Sequence, residues 1–163
     1  MHEAICDTSP IQYLHQTGFL HLLAEFYTRI VPPAVVDELE RGRSIGVDLP
    51  DVRALPWLTI QAPEGLDKAL AAADLGAGEK EVLALGTKLP SAVLILDERL
   101  GRLHAEALKL TFTGTIGILL RVAHPAATHS NRPLLPVKCA TVNGCERLTR
   151  HDHQSHRHHQ HEW

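Results

Sequence analysis

The sequence predicts an α/β fold in which helices cover both faces of a central parallel sheet, a three-layer α/β/α sandwich. Short apolar runs alternate with segments of helical periodicity along residues 4–123, which is typical of a parallel sheet with crossover helices. The run Ala92–Leu96 is apolar at every position, as in a central strand buried on both faces. A chain of 163 residues, 44% of them hydrophobic, is long enough for one domain with a sizeable core.

The first strand is predicted at the apolar run Ala4–Cys6, which stops at Asp7. Thr8 and Ser9 can cap the next helix with a hydroxyl group, and Pro10 suits its first turn. Apolar spacing and the breaks between apolar runs define the following elements. These are a helix over 19–26, a strand over 28–31, a helix that starts at Pro32-Pro33 and runs to about residue 41, a loop over 42–51 and a strand over 57–60.

The second half of the chain continues the same alternation. An Ala-rich helix is expected over 66–73, followed by a break at 76–78. The elements expected after the break are a helix over 79–88, the strand 92–96, a helix over 98–110, a brief strand at 111–112 and a last helix over 116–123 that starts at Gly114-Thr115. In the helix over 98–110, we expect Leu100, Leu103, Ala107 and Leu108 on the apolar side.

The chain divides into a domain over residues 1–125 and a tail over 126–163 of different composition. Hydrophobic periodicity fades from about His124, and six of the twelve histidines lie in 151–163. We expect this His-rich tail to be poorly ordered, with incidental affinity for transition metals. Cys139 and Cys145 match no strong zinc spacing, and Cys6 reads as a small buried hydrophobe.

Composition and missing motifs narrow the functional classes. The formal net charge of −3 provides no global positive field for nucleic acid, so such a partner requires a local basic patch or a bound cation. No apolar run reaches the length of a membrane span, and the N-terminus lacks the pattern of a secretory signal, so a cytoplasmic location is expected. The sequence contains no phosphate-binding loop, no nucleophile elbow and no zinc-protease helix motif.

Two aspartates follow predicted strands directly. Asp7 comes after the first strand and Asp97 after the strand 92–96. The carboxyl ends of parallel strands lie at one edge of a sheet, where ligands bind in open α/β folds. If the two strands are neighbours, the carboxylates approach each other, which is costly unless a cation or a proton lies between them. For Asp7 alone, capping of the first helix is an equally good explanation.

Helical glutamates supply further candidates at this edge. Glu38 borders the buried side of its helix, next to Leu39. Glu79 lies three and four residues before Val82 and Leu83, on the core-facing side, although the helix dipole alone also favours an acid there. Glu81 points to roughly the opposite face, and the choice between Glu79 and Glu81 stays open.

Together these acids predict an oxygen-rich site for a hard cation such as Mg²⁺ or Mn²⁺. The chemistry implied is hydrolysis of a phosphodiester, with the metal activating water and stabilising the phosphate. An acidic pocket of this kind repels a phosphate backbone unless a cation is bound. Arg99, Arg102 and Lys109 are candidates for phosphate contacts, although a solvated helix face is the more common role of such residues.

Five short motifs in this order resemble PIN-domain proteins, in particular the prokaryotic branch of small proteins related to toxin ribonucleases. The resemblance covers about residues 3–123. The motifs are Cys6–Pro10, Val31–Leu39, Gly78–Glu81, Leu96–Arg99 with Gly101-Arg102, and Thr113–Thr115.

The resemblance implies a PIN fold and a cluster of acids that binds Mg²⁺ or Mn²⁺. By position, Asp7, Glu38, Glu79 and Asp97 resemble the four acids of the family, and Thr8 or Ser9 resembles the hydroxyl beside the first. Thr115 is a further candidate for substrate contact. The resemblance also implies RNA as substrate, a homodimer and, for toxin-like members, a small antitoxin partner.

Three functional hypotheses follow. The first is a metal-dependent endoribonuclease, and the second is a non-catalytic PIN scaffold that binds nucleic acid or protein. The third and weakest is metal storage by the tail 151–163.

Overall fold

A computed structural model of the chain describes residues 2–123. The strands are β1 His2–Cys6, β2 Tyr27–Val31, β3 Leu58–Ile60, β4 Val93–Ile95 and β5 Phe112–Thr113. The helices are α1 Thr8–Gln16, α2 His21–Phe26, α3 Pro33–Ser44, α4 Lys68–Ala72, α5 Ala77–Lys88, α6 Arg99–Ala107 and α7 Thr115–Ala123, with a 3-10 turn at Val52–Ala54. Every strand and every α-helix predicted for this part of the chain is present, with ends that differ by a few residues.

The five strands form one sheet in the order β3-β2-β1-β4-β5, and every neighbouring pair is parallel. The α/β class and the central parallel sheet are thereby confirmed. The strand predicted as central, β4, is buried at all three positions and pairs with β1 and β5. Strand β1 lies in the middle of the sheet, so the residue after it emerges near the centre of the carboxyl edge.

The helices pack against the sheet and against one another, and their buried residues form one hydrophobic core with the strands. Helix α5 contacts β1 and β4, and it also touches α3, α4 and α6, while α1 lies beside α3 and α7. Cys6 is buried within the core, as expected for a small hydrophobe. Helix α5 carries Glu79 in its first turn and contributes an uninterrupted buried segment to the core, Val82–Gly86, so the start of this helix is firmly placed over the sheet.

The predicted apolar face of α6 is wrong. Leu100 and Leu103 are about half exposed, at 51% and 49%, and Ala107 and Leu108 are exposed as well. The buried residues of this helix are instead Gly101 and Ala105. Small residues let the helix approach its neighbours closely, and the leucines then point away from the core.

Two further predictions require correction. The side chains of Thr8 and Ser9 do not cap α1, because the N-cap position belongs to Asp7 and carries no side-chain cap hydrogen bond. Helix α3 continues to Ser44, three residues into the segment predicted as a loop. The predicted tail 126–163, with Cys139, Cys145 and the His-rich segment, lies outside the described residues. Among residues 2–123, no helix is both long enough and apolar enough to cross a membrane.

Candidate functional site

The carboxyl edge of the sheet brings the two strand-end aspartates to neighbouring strands. Strands β1 and β4 pair directly, with Cys6 opposite Ile95. The backbone N–H of Asp7 continues this ladder by donating to Ile95 O at 3.1 Å. Asp7 therefore begins where β1 ends, and Asp97 follows β4 by two residues. The two strands that end near these aspartates are therefore neighbours, as the predicted approach of the carboxylates requires.

Asp7 is a buried carboxylate with few donors. Its side chain occupies the N-cap position of α1 without making a cap hydrogen bond, and the residue is only 3% exposed. Burial raises the pKa of Asp7 from 3.8 to about 7; the Thr8 backbone N–H lowers it, and the charges of Glu79, Glu38 and Glu98 raise it further. The pocket thus concentrates negative charge around a carboxyl that titrates near neutrality.

Glu38 projects from α3 and is held at both oxygens. Oε1 accepts the Gly78 backbone N–H at 2.9 Å, and Oε2 accepts the Thr8 hydroxyl at 2.5 Å. One carboxylate therefore links the first turns of α1 and α5 to α3. The Thr8 hydroxyl, expected beside Asp7, orients Glu38 rather than facing a substrate.

Glu79 divides its carboxylate between two environments. Oε2 accepts the Gly76 backbone N–H at 3.0 Å, which supplies half of a capping box at the start of α5. Oε1 is buried and has no hydrogen-bond partner among the described residues. A buried carboxylate oxygen without a donor is costly in free energy, so this atom is the clearest indication that the site fits a cation.

Asp97 is surrounded by donors from α6 and α7. Oδ1 accepts the Thr115 backbone N–H at 2.9 Å and an Arg102 guanidinium N–H at 3.2 Å, and Oδ2 accepts the Thr115 hydroxyl at 2.5 Å. Arg102 also donates from Nε to Leu96 O at 2.8 Å. Both Thr115 and Arg102, proposed for substrate contact, are thus engaged in fixing Asp97.

The remaining candidates occupy different positions. Glu81 does not share the contacts of Glu79, because its Oε2 accepts the Ala34 backbone N–H at the start of α3. Ser9 is half-buried in the first turn of α1, and Arg99 is exposed where α6 begins. Lys109 is exposed and follows α6 with a positive φ of 58°.

The acids do not form a complete metal centre by themselves. Among residues 2–123, no group of three or more His, Cys, Asp or Glu side chains could hold a metal ion as placed. Glu38 and Asp97 have a protein donor on both carboxylate oxygens, whereas among the described residues Glu79 Oε1 has no donor and the buried Asp7 side chain makes no cap hydrogen bond. The donor set fits a hard divalent cation, since it is all oxygen and includes a buried oxygen without a donor.

Sequence reasoning missed three contributors to the site. The negative charge of Glu98 raises the pKa of Asp7. Glu98 directly follows Asp97 in the sequence, and this position could have identified it as a member of the site. Gly101 faces Glu79 Oε1, and Gly78 lies close to both Val35 and Glu38, where a Cβ atom would come within 3 Å of each. Only the packing of α5 on its neighbours reveals why these two positions carry glycine.

Comparison with known proteins agrees with this architecture. A family model described as a PIN domain matches residues 3–137. No protein of curated function matches the chain. PIN domains are generally nucleases and typically use divalent metals. The match spans most of the chain and includes all four acids, so the protein belongs to the PIN-domain family.

Proposed function

We propose that the protein is a Mg²⁺- or Mn²⁺-dependent endoribonuclease of the cytoplasm that hydrolyses phosphodiester bonds at the edge bearing Asp7. The observation that carries this proposal is a buried glutamate oxygen without a donor, on a residue whose charge acts on buried Asp7. Glu79 Oε1 is buried with no partner in the described residues, and its charge raises the pKa of buried Asp7. A divalent cation between such groups would relieve both costs.

Asp7 and Glu79 would hold the cation, while Glu38 and Asp97 complete the acidic site. Glu38 orients the first turns of α1 and α5, and Asp97 fixes the start of α7 through Thr115. When bound, the cation would supply Lewis-acid activation of water and neutralise charge on the phosphate. The protein's own part is to present carboxylates from a rigid sheet edge, where burial raises the pKa of Asp7 to about 7 so that a bound cation would favour its ionised form.

Phosphate contacts would come from the rim of this edge. Arg99 is the exposed cation at the start of α6, two residues after Asp97. Arg102 is half-buried and holds Asp97, so its effect on RNA binding would be mainly indirect. Ser9 lies in the first turn of α1, two residues after Asp7, whereas Lys109 follows the far end of α6 and lies away from this edge. We therefore rank Arg99 first among the residues proposed to contact RNA.

The test is cleavage of a labelled RNA by the full chain with Mg²⁺ or Mn²⁺, compared with Asp7→Asn and Glu79→Gln. Both variants should lose cleavage and the calorimetric signal of Mn²⁺ binding at the site. A chelator should also abolish cleavage by the wild-type protein. Cleavage that survives Asp7→Asn unchanged would refute the assignment of the site.

A second candidate, a non-catalytic PIN scaffold, is favoured by the hydrogen bonds that two of the acids make within the protein. Glu38 and Asp97 each use both carboxylate oxygens on protein donors. Such carboxylates can serve to hold helices together without binding metal. This hypothesis predicts no specific Mn²⁺ binding and no cleavage, combined with retained affinity for RNA or for a protein partner.

We also propose that the protein acts as the toxin of a toxin–antitoxin pair and forms a homodimer. The toxin role is proposed from the resemblance of the sequence motifs to toxin ribonucleases. The homodimer is supported by exposed apolar side chains on two helices, Leu100 and Leu103 on α6, and Ile116 and Leu120 on α7. Light scattering of Leu100→Gln/Leu103→Gln and of Ile116→Gln/Leu120→Gln should identify the self-association surface. A monomeric wild-type protein would exclude the dimer.

A further inference from the structure

Helix α3 begins without a cap of its own. Its N-cap residue is Pro32 and its first residue is Pro33, and neither can offer a side-chain acceptor to the free N–H groups of the first turn. The N–H of Ala34, the second residue of the helix, donates instead to Glu81 Oε2 at 2.8 Å. The cap of α3 is therefore a carboxylate that belongs to α5.

Helix α5 has the same deficiency at its start. Its N-cap residue is Gly76, which has no side chain, and its second residue is Gly78. The N–H of Gly78 donates to Glu38 Oε1 at 2.9 Å. The cap at this position is a carboxylate that belongs to α3.

The two helices thus exchange caps in a reciprocal arrangement. Each donates the N–H of its second residue, Ala34 or Gly78, to a glutamate one turn further along the other helix. Both bonds place a negative charge at the positive end of a helix dipole, which is favourable. The pairs Ala34–Glu81 and Glu38–Gly78 run in opposite order along the two helices, so together they fix how far α3 can slide along α5.

This exchange connects Glu81 to the acidic pocket. Ala34 lies four residues before Glu38, on the same face of α3, and Gly78 directly precedes Glu79. Loss of the Glu81 bond leaves the half-buried Ala34 N–H without its acceptor and frees one of the two points that hold the helices in register. Glu38 and Glu79 are the side chains that would then move.

We propose that Glu81 is a positioning residue for the acidic site, acting through the start of α3 on Glu38 and through α5 on Glu79. This inference rests on the proposed function, since it gives Glu81 a purpose in metal binding. It also provides separate roles for two glutamates that are only two positions apart. Glu79 faces the pocket, and Glu81 holds the helix that brings Glu38 to it.

The test compares the wild-type full chain with Glu81→Ala and Glu81→Gln. Calorimetry measures Mn²⁺ affinity, and the heat that disappears in Asp7→Asn identifies binding at the acidic site. We expect about tenfold weaker binding for Glu81→Ala, the size typical of lost support around a metal ligand. Glu81→Gln should bind with nearly wild-type affinity, because its amide oxygen still accepts the Ala34 N–H.

Amide hydrogen exchange in metal-free protein provides a readout that does not depend on metal. Gly78 N–H should exchange faster in Glu81→Ala than in wild type, because the Glu38 cap loses its register. Glu106→Ala, an exposed acid of α6, and Ile30→Val, a buried change in β2, are the controls for charge and for lost stability.

The outcomes distinguish failure of the positioning role of Glu81 from failure of the proposed function. The positioning role would be overturned, with the proposed function intact, if Glu81→Ala bound Mn²⁺ as tightly as wild type. An equal loss of Mn²⁺ affinity in Ile30→Val would have the same meaning. If wild type and Asp7→Asn give the same heat, the proposed function fails. In that case unchanged Gly78 exchange in Glu81→Ala overturns the positioning role, and faster exchange supports it.

Discussion

Gly101 lies directly against the Glu79 carboxylate. A methyl group at Gly101 would be 2.6 Å from Oε1, the oxygen that has no partner among the described residues. Helix α6 therefore reaches α5 at a point where only glycine leaves the carboxylate room. The space that a side chain would fill borders the atom that we propose as a metal ligand.

Gly101→Ala should weaken Mn²⁺ binding more than it weakens folding. Alanine is favoured over glycine inside a helix by about 1 kcal/mol, which offsets part of the clash. Glu79 must still turn away from its present position, so Mn²⁺ affinity measured by calorimetry should fall by about tenfold or more. Thermal unfolding without metal should change only slightly.

Gly42→Ala is the matched control for this substitution. Its methyl group would also meet a side-chain atom at close range, Leu49 Cδ1 at 2.5 Å, but on the far half of α3. It should leave Mn²⁺ affinity unchanged. Equal effects of both substitutions on affinity would mean that general strain, rather than the place of Glu79, controls binding.

Asp7→Asn should stabilise the metal-free protein at neutral and alkaline pH. Because burial raises the pKa of Asp7 from 3.8 to about 7, the folded state binds the proton more tightly than the unfolded chain. Stability therefore falls as pH rises between these two values, and the full cost is present above the upper one. Asparagine removes that cost, so the free energy of unfolding at about pH 8 should rise by about 2–4 kcal/mol.

The comparison is made by urea unfolding at about pH 4 and about pH 8. The gain from Asp7→Asn should be large only at the higher pH, and Mn²⁺ should stabilise wild type but not the variant. A variant that is less stable than wild type at about pH 8 would show that the Asp7 carboxylate is well solvated or paired.

Mn²⁺ affinity should increase with pH across the titration of Asp7. A ligand carboxylate must lose its proton before it binds metal, and the pKa of Asp7 is raised to about 7. Below that value, affinity should rise by about tenfold per pH unit for each proton released, and it should level off above it. A flat profile between about pH 5 and about pH 8 would exclude Asp7 as a ligand.

The sequence predicts the sheet edge well because its signals are local. Apolar runs that end at Asp7 and Asp97 define strand ends, and parallel pairing then brings them together. The hydrogen-bond partners of Glu38, Glu79 and Glu81 depend instead on how α3 packs against α5. Hydrophobic periodicity along the sequence does not reveal this packing. The hydrophobic pattern of α6 predicts its outward face as the core face, because the large leucines are more hydrophobic than the small Gly101 that is buried.

Thr115→Val should destabilise the protein by removing the hydroxyl that binds Asp97. Thr115 is buried, and its hydroxyl donates to Asp97 Oδ2 at 2.5 Å, so valine keeps the shape and loses the donor. A hydrogen bond to a charged group contributes about 1.5–3 kcal/mol, which sets the expected loss in urea unfolding. Thr115→Ser, which keeps the hydroxyl, should lose less.

A double-mutant cycle with Asp97→Asn tests whether loss of the hydrogen bond to Asp97 causes the destabilisation by Thr115→Val. If Thr115 acts by holding the carboxylate, the two substitutions together should cost less than the sum of the single effects, by about 1 kcal/mol or more. Additive losses would mean that the Thr115 hydroxyl contributes independently of Asp97. Because Asp97 also binds Arg102, the cycle with Arg102→Leu should show coupling of the same sign, and the size of each coupling would rank the two supports of the Asp97 carboxylate.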